Sequence, residues 1–121
     1  MYAGISLGVM SAQRLAQTTR GVRGALLYEA CLPISGEWAI GPWPTGVPVQ
    51  VHGMADDEFF AHEGDLDAAR HLVDTIGDDL GAVFTYEGDR HLFLDATLPS
   101  YDAAATTVVV ERSRALLAQV S

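Results

Sequence analysis

The sequence predicts an α/β domain built on a mostly parallel sheet of about four strands flanked by helices. Three observations carry that prediction. Short apolar runs alternate with helix-like stretches along the whole chain, which holds no internal repeat and no low-complexity tract. The 121 residues are 49% hydrophobic and 19% charged, a mix that supplies one small core and excludes a disordered or collagen-like chain. The order that results is strand, helix, strand, loop, strand, helix, strand, helix.

Met1 to Ile5 reads as the end of a buried strand, and Leu7 to Thr19 as a helix with Val9, Ala12 and Ala16 on its buried face. Gly21 suits the C-terminal cap of that helix. Arg23 to Ala30 reads as a second strand. Cys31 to Gly46 holds three prolines, three glycines, Trp38 and Trp43, the composition of a long loop. Val47 to Val51 is a third strand, with Pro48 near its start where a missing N–H is tolerated. A helix follows with Leu66, Ala69, Val73 and Ile76 on one face and Asp65 as N-cap. Ala82 to Tyr86 is a fourth strand. A last helix runs from near Ser100 towards Gln119, although Val108-Val109-Val110 is strand-like by propensity.

Charge and cysteine content narrow the function. The formal net charge is −9, and all 7 basic residues are arginine. A chain with a sequence pI near 4.6 and no basic run is unsuited to nucleic acid or to anionic lipid. A neutral or cationic small molecule fits better. Between Asp56 and Asp79 lie nine acidic groups without ligand-like spacing, the pattern of a solvated face. Cys31 is the single cysteine, which suits a reducing compartment and a small buried residue. No apolar run approaches the length of a membrane span, and Met1-Tyr2-Ala3-Gly4 opens no leader segment, so the expected location is cytoplasmic.

In a parallel sheet, chemistry gathers beyond the carboxyl ends of the strands. Three short segments fall there. Gly4-Ile5-Ser6-Leu7-Gly8 matches G-x-S-x-G, a sharp strand-to-helix turn that pushes the serine hydroxyl outward. Crowding in that turn asks for small residues two before and two after the serine. The turn also aims the Leu7 N–H at the place where an oxyanion would form. His52-Gly53-Met54-Ala55-Asp56 follows the third strand, and an acid there can hold a histidine Nδ1–H. Asp57 is adjacent, and the sequence leaves both open as that acid; a turn cap or a surface charge is the plainer role for Asp56. Gly88-Asp89-Arg90-His91 follows the fourth strand, placing His91 as a general base for Ser6 or as a surface histidine.

Ser6, Asp56 and His91 occur in the order Ser, Asp, His, which is the order of α/β-hydrolases and differs from the orders in chymotrypsin and subtilisin. The remaining histidines, His52, His62 and His71, lie ten and nine residues apart and lack metal-ligand spacing. No metal and no cofactor is expected, since no P-loop or G-x-G-x-x-G is present. His52 is expected to pack near its strand end, and Trp38 and Trp43 either line a substrate cleft or cover apolar surface.

On these residues the chain resembles the C-terminal part of a dienelactone hydrolase family protein, a branch of the α/β-hydrolases. The resemblance runs through Tyr2-Ala3-Gly4-Ile5-Ser6-Leu7-Gly8-Val9 and Pro48-Val49-Gln50-Val51-His52-Gly53 leading to Asp56. It continues in Gly88-Asp89-Arg90-His91-Leu92-Phe93 and Pro99-Ser100-Tyr101-Asp102. It implies the C-terminal half of an α/β-hydrolase fold, with residues 1–121 as one partial domain beginning inside the nucleophile-bearing strand. It also implies Ser6 as nucleophile, His91 as base, Asp56 as acid and the Leu7 amide as one oxyanion donor.

Two departures shape the expected activity. Dienelactone hydrolase itself uses a cysteine nucleophile, and it carries an arginine four residues after the catalytic histidine, where this chain has Asp95. A small neutral ester, thioester or lactone is therefore the expected substrate. The family's earlier strands, with the loop that gives the second oxyanion donor, have no counterpart in these residues. A weak or inactive carboxylic-ester hydrolase is expected, with self-association through the exposed first strand. The alternative is a non-catalytic hydrolase-like module that acts through protein contacts.

Overall fold

The computed structural model describes residues 1–121. Strand β1 (Tyr2–Ile5) leads through a tight turn into helix α1 (Gly8–Thr18). Strand β2 (Ala25–Tyr28) follows, then a long irregular segment and strand β3 (Val49–Met54). Helix α2 (Asp65–Ile76), strand β4 (Gly81–Tyr86) and helix α3 (Ala103–Val120) complete the chain. The strands form one sheet in the order β1-β2-β3-β4, and every pairing is parallel. The predicted α/β class and element order are thus present.

Side-chain alternation along the strands divides the core in two. Ala25 and Leu27 of β2 and Val49 and Val51 of β3 point to one face. There they meet Val9, Ala12 and Ala16 of α1 and Leu66, Ala69 and Leu72 of α2. On the other face, Met54 and Tyr86 pack with Phe93 and with Val109 of α3. The loop from Cys31 to Gly46 belongs to the first core, where buried Trp43 donates from its indole N–H to the Val47 carbonyl at 2.9 Å. Trp43 is therefore a cover for apolar surface, and Trp38 stands in solvent at 83% exposure. No helix is long and apolar enough to cross a membrane.

The differences from the predicted boundaries have local causes. Strand β3 runs to Met54, three residues past the predicted end, because the pairing with β4 continues through His52↔Phe84, Gly53↔Thr85 and Met54↔Tyr86. Asp65 does not cap α2. Gly64 holds the N-cap position with φ 102°, and the Asp65 carboxylate accepts instead from the Cys31 N–H at 3.0 Å. Tertiary context overrides strand propensity at Val108-Val109-Val110, which lie inside α3. That helix is capped by Asp102, whose carboxylate accepts from the Ala105 N–H at 3.0 Å.

Candidate functional site

Ser6 stands in the turn between β1 and α1 with φ 52°, a left-handed conformation that only a few per cent of non-glycine residues adopt. The turn is locked by the Ser6 N–H, which donates to the Tyr28 carbonyl at 2.7 Å and so continues the β1–β2 ladder. Gly4 makes the geometry possible. A Cβ built on it would lie 2.5 Å from the Gly8 carbonyl oxygen and 2.9 Å from the Ala12 Cβ. Gly8 differs from expectation, since a Cβ there would meet nothing within 4 Å. Crowding thus constrains the first glycine of the motif and leaves the second free. Gly4→Ala is expected to destabilise the fold by about 1–3 kcal/mol through overpacking. Gly8→Ala, in the first turn of α1, is expected to be neutral or to add a few tenths of a kcal/mol. Urea unfolding midpoints of the two variants check the contrast.

The Ser6 Oγ lies 2.7 Å from the Nε2 of His91, and the His91 Nδ1 lies 2.6 Å from the Oδ2 of Asp57. An ionised carboxylate can only accept, so Nδ1 carries the hydrogen and Nε2 presents its lone pair to the serine hydroxyl. Asp57 is fully buried, whereas the His91 side chain keeps 19% of its exposure. The Phe59 ring packs on the imidazole at a centroid distance of 5.0 Å.

The acid that reaches His91 is Asp57; the Asp56 assignment is corrected. Beyond Met54 the chain still follows β4, with the Ala55 N–H on the Tyr86 carbonyl and the Asp56 N–H on the Gly88 carbonyl. The Asp57 N–H then turns back to the Met54 carbonyl at 3.2 Å. The Asp57 Oδ1 accepts from the Phe59 and Phe60 amides at 2.8 and 3.3 Å, which leaves Oδ2 for the histidine. Phe60 can sit there because β3 carries Gly53 beneath it; a Cβ on Gly53 would lie 2.4 Å from the phenyl ring. Asp56 points the other way and pairs with His62 at 2.6 Å, both side chains being largely exposed.

A third acid stands beside the group. Glu29 directly follows β2 with φ 65° and is 1% exposed. Its Oε1 accepts from the Leu92 N–H at 2.6 Å and the Phe93 N–H at 3.3 Å. Desolvation raises its pKa, against the lowering effect of the Phe93 amide and of His91. The sequence places Glu29 inside the second strand, where the available signal is an acid within an apolar run. Glu29, Asp57 and His91 bring one donor atom each within 4.8 Å of one another, a donor set that could hold a metal. Both nitrogens of His91 are already engaged by Ser6 and Asp57, so an ion would have to displace those bonds.

The remaining sequence candidates take other roles. His52 is fully buried inside β3, between the Tyr86 hydroxyl at 2.8 Å and the Gln50 amide oxygen at 2.9 Å. Burial, reinforced by the Arg112 guanidinium, pushes its pKa down to about 3. Cys31 is buried, and burial together with the Asp65 carboxylate pushes its thiol up to about 12, which makes it an unreactive core residue. His71 lies near the Ser35 hydroxyl at 3.3 Å on the exposed surface.

A cleft of about 260 Å³ opens at Ser6 and His91, walled by Leu7, Met10, Leu32 and Phe59. Neither tryptophan lines it. Leu7 is 78% exposed and Met10 53%, so the mouth of the cleft is apolar and wide. The Leu7 N–H, just before α1, makes no hydrogen bond within the chain. The arrangement can pass a proton from a hydroxyl to an imidazole and stabilise the resulting cation with a buried carboxylate.

No family model matches this sequence, and no curated protein matches it. Among solved structures, the chain is similar to the crystal structure of a "Putative Dienelactone Hydrolase" from Klebsiella pneumoniae subsp. pneumoniae MGH 78578. The TM-score is 0.72 at 17% sequence identity, over 97% of this chain and 50% of that one. At that identity the likeness is one of fold, and this chain spans about half the length of that protein.

Proposed function

We propose that the chain carries the nucleophile-bearing part of a serine hydrolase of dienelactone-hydrolase type, acting on small neutral esters, thioesters or lactones. The observation that carries this reading is the continuous relay from Ser6 Oγ through His91 to buried Asp57, with links of 2.7 and 2.6 Å. The similarity of fold to the Klebsiella protein supports the hydrolase class.

In this mechanism Ser6 attacks the acyl carbon while its proton passes to His91 Nε2. Asp57 stabilises the imidazolium through Nδ1–H. The carbonyl oxygen, now negative, faces the Leu7 N–H. His91 returns the proton to the leaving oxygen or sulfur, and water repeats the sequence to release the acid. Substrate charge follows from the surroundings: Asp95 is exposed four residues past His91, Asp65 lines the cleft, and the net charge is −9. A carboxylate-bearing substrate would be repelled. Leu7 supplies one oxyanion donor, and a donor of that kind is worth about 10²–10³ in turnover. The β1 edge, with Ile5 48% exposed, is the surface on which self-association is expected.

The test is fluorophosphonate labelling of the purified chain, read by intact mass. One adduct is expected in the wild type and none in Ser6→Ala. A folded wild type that takes no adduct would overturn the hydrolase reading.

A further inference from the structure

We infer that Glu29 is a positioning residue: its carboxyl oxygen clamps the segment that carries His91 and thereby sets the imidazole between Ser6 and Asp57. The inference rests on the reading of those three residues as a hydrolytic relay.

His91 lies in the chain between β4 and α3, which has no regular secondary structure. Something must fix it to a few tenths of an ångström for both of its short bonds to form. The two amides that follow His91, those of Leu92 and Phe93, both point at Glu29 Oε1. Leu92 adopts φ 60° to present its N–H, and Glu29 adopts φ 65° to present its side chain. Two left-handed non-glycine residues therefore meet across one hydrogen bond, a placement that persists only where the surroundings over-determine it.

Other ties hold the same segment from outside. The Ser100 hydroxyl donates to the Leu92 carbonyl at 3.0 Å, and the Asp102 N–H donates to the Phe93 carbonyl at 2.9 Å. These fix the carbonyl side; on the amide side the Met54 Sδ accepts from the Arg90 N–H at 3.3 Å before His91, and Glu29 takes the two amides after it. Glu29 is anchored in turn, since its own N–H donates to the His52 carbonyl at 2.6 Å and extends the β2–β3 ladder. Its second oxygen, Oε2, is buried without a partner. A carboxyl so placed is retained at a cost in desolvation. An acceptor role for Oε1 accounts for its retention. The clamp needs an acceptor and does not need a charge, so a protonated carboxyl, which burial favours here, performs it equally.

Glutamine at position 29 keeps a carbonyl oxygen at the same reach, aspartate keeps the charge but falls one methylene short, and alanine removes both. The short His91–Asp57 bond is expected to give a proton resonance far downfield of the amide region, readable without substrate. In Glu29→Ala and Glu29→Asp the resonance is expected to vanish. Their Ser6 labelling is expected to slow by about 10²-fold, against about threefold or less in Glu29→Gln, as for a misplacement near 1 Å. Rescue by glutamine but not by aspartate identifies reach, not charge, as the property. Should Glu29→Ala fail to fold, the Asp and Gln pair carries the comparison. A folded Glu29→Ala or Glu29→Asp with wild-type resonance and labelling overturns the inference, and so does a Glu29→Gln that has lost both. A wild type that shows the resonance but takes no label, with the resonance lost in Glu29→Ala, removes the hydrolase reading and leaves the clamp standing.

Discussion

Asp57→Asn is expected to cut the rate of Ser6 acylation by about 10⁴-fold, while Asp56→Asn leaves it within about twofold. The two residues are adjacent, so the comparison isolates orientation from local charge. Asp57 touches His91 at 2.6 Å and is wholly buried, with its other oxygen held by the Phe59 and Phe60 amides. Asparagine keeps that shape. Its amide oxygen can take the two backbone donors, which leaves the amide NH₂ facing Nδ1. The imidazole must then carry its hydrogen on Nε2, where it cannot receive the Ser6 proton. The Asp56 side chain meets only exposed His62, a contact that water replaces at little cost. Labelling rates of both variants, measured beside their unfolding curves, check the pair. Equal losses in the two would remove Asp57 from the relay.

The adjacent acids also mark where sequence reasoning stops. Ser6 and His91 were legible because each lies just past an apolar run, and a parallel sheet presents its strand ends on one side. The Gly4 to Gly8 motif added a reason for the serine's outward turn, and the steric need at Gly4 is real at 2.5 Å. Choosing between Asp56 and Asp57 is a question of parity, and parity depends on the last paired residue of β3. That strand was read to Val51 and in fact pairs through Met54. Its extension comes from the β4 register, a contact between segments about thirty residues apart that no local pattern encodes. Glu29 escaped for a similar reason. A glutamate after Ala-Leu-Leu-Tyr reads as one more residue of the second strand, and its role follows from amides far along the chain. Asp65 shows the converse, since it satisfied the local rule for an N-cap and was recruited instead by the Cys31 amide.

Acidification is expected to weaken the fold through His52. The ring lies fully buried on the α3 side of β3, against Phe84 at 5.2 Å and Tyr28 at 5.4 Å. Its neutral form is satisfied at both nitrogens, by the Tyr86 hydroxyl and the Gln50 amide oxygen. A proton added at Nδ1 would need an acceptor where Tyr86 now donates, and Arg112 already reaches that hydroxyl at 3.2 Å. The folded pKa falls to about 3, from 6.5 in an unstructured chain. Below pH 6.5 the unfolded chain therefore binds a proton that the folded chain refuses, and stability is lost as pH falls, until the folded ring itself titrates near 3. The slope approaches about 1.4 kcal/mol per pH unit, which amounts to roughly 2 kcal/mol between pH 7 and 5. Buried Glu29 and half-buried Asp65 act with the opposite sign, since their raised pKa values favour the folded state at acid pH. They are common to wild type and His52→Gln, so the difference between the two proteins cancels them. Urea unfolding at pH 7 and 5 should show the wild type losing about 2 kcal/mol more than His52→Gln, and equal losses would place the acid sensitivity elsewhere. Because β3 delivers Asp57 to His91, this loss falls on the strand that the relay depends on.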